Sequence, residues 1–125
     1  MTGVQTCALP ISERLPRELA DLIRDPANAR HFSVVSIWEV AIKAQLGRPN
    51  FQYDARILRL GLLRNGYAET PIAGRHAVAV GALPLVHRDP FDRMLVAQAA
   101  EEDLILVTMD KTIAAYPGPI RLIRR

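Results

Sequence analysis

Residues 89–110, DPFDRMLVAQAAEEDLILVTMD, decide the fold. Asp89 places an acceptor side chain ahead of Pro90, the pairing of an N-cap with a fixed-φ first residue that starts a helix. Phe91, Leu95 and Ala99 then recur every four residues, so the spacing predicts a helix running to about Glu102. Leu104 to Thr108 follows as an almost wholly apolar run, as expected of a strand buried on both faces of a parallel sheet.

Working outward, the same alternation continues. After the strand, a short helix is expected over Thr112 to Tyr116 and a last strand over Ile120 to Ile123. Upstream, His31 to Val35 is a short β-branched and aromatic run that reads as a strand. Ser36 is then expected to cap a helix, with Glu39 three residues later completing a capping box, and Ile37, Val40, Ala41 and Ala44 forming one apolar stripe up to Gly47. Leu58, Leu62 and Leu63 mark a helix ending near Gly66, Tyr67 to Ile72 a short strand, and Ala77, Val78 and Val80 a helix before Leu83-Pro84. Leu15, Leu19, Leu22 and Ile23 place a further helix over roughly Pro16 to Arg24, closed by Asp25-Pro26. Strands alternating with helices imply an α/β fold with a parallel sheet and right-handed crossovers.

At 125 residues the chain is of single-domain size, and half of it is hydrophobic, enough for one modest core. Sixteen basic against 13 acidic residues give a net charge of +3, compatible with a polyanionic partner. The basic residues are spread out, which argues against a concentrated DNA-reading arm. A lone cysteine, Cys7, excludes an internal disulfide, and no Cys/His spacing resembles a zinc site. No apolar run is long enough for a membrane span and no basic start of a secretory signal is present, so a cytoplasmic protein is expected.

In an open α/β sheet, ligands bind beyond the carboxyl ends of the strands. Glu39, Asp92 and Asp110 are expected there, Glu39 and Asp92 in first turns of helices and Asp110 just past the Leu104 to Thr108 strand. Each has a local explanation as well. Glu39 can serve the capping box and pair with Lys43, Asp92 can stabilise a helix dipole beneath the Asp89 cap, and Asp110 can begin a turn. Convergence on one sheet edge is harder to explain that way. Two carboxylates about 4 Å apart repel by about 4 kcal/mol at an effective dielectric of about 20, so such a cluster calls for a cation. Oxygen ligands without Cys or His favour Mg²⁺ or Mn²⁺, and the chemistry expected is hydrolysis of a phosphodiester by metal-activated water.

The segments SVVSIWEVAIK (Ser33–Lys43), LPLVHRDPFDRMLVAQA (Leu83–Ala99) and LILVTMDKTIAAYPGPI (Leu104–Ile120) resemble, in order and spacing, the PIN domains of VapC toxins from type II toxin-antitoxin systems. The resemblance implies a Rossmann-like three-layer α/β fold, RNA cleavage with Mg²⁺ or Mn²⁺ held by three or four acids, neutralisation by a cognate antitoxin, and a homodimer. By position it puts the second, third and fourth family acids on Glu39, Asp92 and Asp110. Asp89 becomes a cap or supporting residue, Arg93 and Lys43 become candidates for phosphate contact, and His87 becomes a supporting or RNA-contacting residue. His76 is expected to be structural and Trp38 to belong to the core.

The front of the chain departs from that family. VapC domains begin with a hydrophobic strand ending in a metal-binding aspartate, whereas no acid precedes Glu13 here. Met1 to Ile11, MTGVQTCALPI, is uncharged and aperiodic, and these eleven residues match the end of a common short-read sequencing adapter read in frame from a gtg start. They are therefore expected to be non-native, with the PIN domain spanning 12–125, its first strand absent, and the chain unstable and nearly inactive. A non-catalytic module that binds RNA or an antitoxin stays open as an alternative. So does a phosphoacceptor domain of receiver type, although that needs paired acids after the first strand and a lysine after the last.

Overall fold

The computed structural model describes residues 2–6, 17–47 and 53–123; Cys7, Leu15 and Pro16 lie outside them. Within these residues the chain runs β1 (Thr2–Thr6), α1 (Arg17–Arg24), β2 (Asn28–Ser33), α2 (Val34–Gln45), α3 (Ala55–Arg64), β3 (Ala68–Thr70), α4 (Gly74–Val80), α5 (Pro90–Glu101), β4 (Leu104–Thr108), α6 (Lys111–Ala114) and β5 (Ile120–Leu122). The strands form one parallel sheet in the order β3-β2-β1-β4-β5. The expected α/β architecture is the one observed. Its central position, expected to stand empty, is occupied by Thr2–Thr6, which pairs with β2 on one side and β4 on the other. Backbone hydrogen bonding explains the correction: two flanking strands with open edges accept almost any extended segment, whatever its side chains.

Alternation along the strands divides the core between the two faces. Leu104 and Leu106 pack with Val35, Leu95, Val96 and Ile113 beneath α5 and α6. Val4 and Val107 point to the opposite face, where Leu19 of α1 covers them. Phe32 continues that second face toward Val40 and Leu62. The result is a sheet between two helical layers, and no helix of the described residues is long and apolar enough to cross a membrane.

A second correction moves the start of α2. Its N-cap is Ser33, whose Oγ accepts from the Val35 N–H at 3.0 Å, and Ser36 sits buried inside the helix. Glu39 consequently lies in the second turn and closes no capping box. Ser33 wins because its hydroxyl also donates to Oε1 of Gln98, a fully buried side chain on α5, while the Gln98 amide donates to the Pro71 carbonyl at 3.1 Å. That tertiary network is out of reach of Ser36. His76 is buried as expected, its Nδ1 accepting from the Ala73 N–H and its Nε2 2.9 Å from Glu102, which ties α4 to the end of α5.

Candidate active site

Local capping chemistry delivers the acids to the carboxyl edge of the sheet. Asp89 Oδ1 accepts from the Phe91 N–H at 2.9 Å and the Asp92 N–H at 3.3 Å, which starts α5 and leaves Asp92 in its first turn. Asp110 follows β4 and caps α6 through Thr112 N–H at 2.8 Å. Glu39 approaches from α2. All three acids line one depression of about 370 Å³, together with Thr108, Leu95 and Ile113. A separate cleft of about 470 Å³, around Arg30, Tyr67 and Leu62, contains no acid.

The electrostatics show how closely these groups feel one another. Burial, then repulsion from Asp89, Glu39 and Asp110, pushes the Asp92 carboxyl up to about 6, with His87 acting in the opposite sense. His87 Nε2 stands 3.6 Å from Asp92 Oδ2. The other ring nitrogen, Nδ1, accepts from the Asp89 N–H at 3.0 Å, so in the neutral ring the proton resides on Nε2 and faces Asp92. Donor atoms of His87, Asp89 and Asp92 lie within 4.8 Å of one another, close enough to hold a metal ion. Glu39 and Asp110 border the same depression with other partners at hand: Lys43 Nζ is 3.0 Å from Glu39 Oε2, and Asp110 serves its cap. Crowded carboxylates with one imidazole form a donor set suited to a hard divalent cation, which would relieve the repulsion felt by Asp92.

The sequence profile of the PIN domain family matches residues 8–119. This chain belongs to the PIN domain family. No curated protein matches it. Its fold is similar to VapBC2 from Rickettsia felis bound to a DNA fragment from their promoter, with a TM-score of 0.69 and 13% identity over 97% of this chain and 98% of the other. It is also similar to VapBC-1 from nontypeable Haemophilus influenzae, with a TM-score of 0.65 and 15% identity over 98% of each chain.

Other side chains of this PIN domain hold the site in place. The Arg93 guanidinium is taken up by the carbonyls of Val80 and Pro84, at 3.1 and 2.9 Å, and by the Tyr116 hydroxyl at 3.3 Å. Tyr116 in turn accepts from the His87 N–H and donates to the His87 carbonyl, fixing the loop that presents His87. Arg93 is thus a clamp on that loop, with its donors aimed at carbonyls. Trp38, expected in the core, is 54% exposed and meets Phe91 edge-on at 5.0 Å. Gln98, Ser33 and Tyr116 were not singled out by sequence reasoning. Their one signal is polarity within apolar stretches, and only the folded contacts give it meaning. The first acid implied by the resemblance has no counterpart in β1, whose buried Gln5 has neither amide atom hydrogen-bonded.

Proposed function

We propose that this PIN domain is a metal-dependent ribonuclease toxin of the VapC type, held in check by a cognate antitoxin, with Glu39, Asp92 and Asp110 as its metal-binding acids. The observation that carries the reading is the convergence of these three acids on one depression, with Asp92 raised to about 6 partly by its neighbours' charges. Mg²⁺ or Mn²⁺ held there supplies the Lewis acid for attack of water on an RNA phosphodiester. Asp92 supplies the most central carboxylate, Asp89 anchors the turn that aims it, and His87 Nε2 offers a hydrogen bond toward Asp92. Lys43 offsets charge on Glu39. A cytoplasmic setting and a homodimer are proposed with this reading, and the similarity to VapBC folds supports the antitoxin as partner.

The experiment is RNA cleavage by purified protein with magnesium or with EDTA. Cleavage is expected to need the metal. Asp92→Asn and Glu39→Gln should each lower it by at least the upper end of the roughly 10–100-fold loss seen when support for a metal ligand is removed. Cleavage indifferent to EDTA, or to both substitutions, would sink the proposal. A second reading, a non-catalytic module that retains antitoxin or RNA binding, is favoured by one observation, the lack of any acid in β1. Rebuilding residues 1–11 as an apolar strand ending in aspartate separates the two. The nuclease reading expects cleavage to rise, and the module reading expects none.

A further inference from the structure

A second depression, of about 550 Å³, adjoins the first and shares Glu39 with it. Its floor is apolar, formed by Ile42, Leu46 and Phe91, and its walls carry Lys43 and Arg88. Trp38 stands against Phe91 with over half its surface exposed, and Leu46 is 65% exposed. Trp38, Ile42 and Leu46 follow one another at four-residue intervals, an apolar stripe on α2 running beside the Glu39–Lys43 stripe. Arg88 is exposed and forms no hydrogen bond or ion pair with the described residues.

Exposed apolar surface of this kind marks a contact for something else. Its volume is that of a small-ligand site, roughly 300–1,000 Å³. Two features favour a nucleotide over a segment of protein. The groove opens from the acid depression at Glu39, so a strand whose phosphate lies at the acids continues directly into it. It also combines aromatic rings with cations, the arrangement by which single-stranded nucleic acid is held, bases stacked on rings and phosphates paired with basic groups. A base locked in a duplex cannot turn onto such a floor.

We propose that this groove seats an unpaired nucleotide of the RNA next to the one being cut, its base on Trp38 and Phe91 and its phosphate against Arg88 and Lys43. The inference rests on the ribonuclease reading and names the form of substrate it takes: RNA single-stranded on one side of the cut. Trp38 is the only tryptophan in the chain, so its emission reports this groove alone.

The test pairs two readouts on the intact protein in calcium: Trp38 emission, and anisotropy of an end-labelled oligonucleotide. Single-stranded RNA should quench Trp38 over the same concentrations that raise anisotropy, and a duplex of the same sequence should not quench it. Trp38→Ala should weaken binding about tenfold. Arg88→Ala, an exposed change that leaves the core alone, should weaken it severalfold and lower the salt slope by about 1. Binding by anisotropy with Trp38 emission unchanged, or affinity indifferent to Arg88→Ala, overturns the groove while leaving the nuclease reading intact. Emission that answers only to an antitoxin makes the groove a protein dock and overturns it as well. No RNA binding by either readout overturns both readings.

Discussion

β1 and β4 lie side by side at the middle of one sheet, Gly3 through Thr6 paired against Leu104 through Val107, and they could hardly differ more in what they bring. β4 is LILVT, with Leu104, Leu106, Val107 and Thr108 all buried. β1 is TGVQT, and Val4 is its one aliphatic side chain. Gln5 shares a sheet face with Leu106 and His31, and is buried there with its amide unpaired. At Gly3 the Leu104 side chain crowds the space a Cβ would occupy. Backbone pairing is thus enough to recruit a strand into a parallel sheet, while side chains decide whether that strand adds stability. β4 also delivers Asp110 at its end, whereas β1 holds no acid.

The largest effect should come from making β4 resemble β1. Leu106→Ala removes a fully buried side chain and should cost about 2–5 kcal/mol in chemical denaturation. A loss under about 1 kcal/mol would mean that β4 supports the core no better than its neighbour does.

Next comes the charge gathered where these strands end. The fold raises the Asp92 pKa from 3.8 to about 6, so it favours the protonated form. The stability that this group contributes is present in full below its unfolded value, near 4, and is lost as pH rises through about 6. The loss is at most about 3 kcal/mol at neutral pH. In EDTA, Asp92→Asn should therefore raise the melting temperature at pH 7.5 and leave it nearly unchanged at pH 4, and magnesium should narrow the difference at pH 7.5. Equal melting temperatures at pH 7.5 would show that the acids do not strain the metal-free protein.

The smallest effect runs the other way, making β1 resemble β4. Gln5→Leu keeps the volume roughly constant and removes two unpaired buried polar atoms, so a gain of about 1–3 kcal/mol is expected. No gain would place an unseen partner beside the amide.

The same contrast explains what could be read from the sequence. α5 and β4 were legible because their signals are local: a cap, a proline, a four-residue period and an apolar run. Asp92 and Asp110 came with them, since each is placed by the capping of its own helix. β1 has no periodicity and no apolar run, and its strand character is imposed by β2 and β4. Ser33 and Ser36 are both plausible caps three residues apart, and the choice is made by Gln98, 65 residues downstream of Ser33. Trp38 falls beside a core stripe, and residue type alone does not tell which side of that stripe faces solvent. His87 joined the acids through a loop held by Tyr116, a contact 29 residues long in sequence.

The buried bond between Ser33 and Gln98 has a mechanical side. Glu39 lies six residues beyond Ser33 on α2, and Asp92 lies six residues before Gln98 on α5. At about 1.5 Å of rise per residue, each acid rides about 9 Å from that one fastening. The helices behave as two arms of equal length hinged at a common pin, so play at the pin changes the gap between the two carboxylates, which is the dimension a cation gauges.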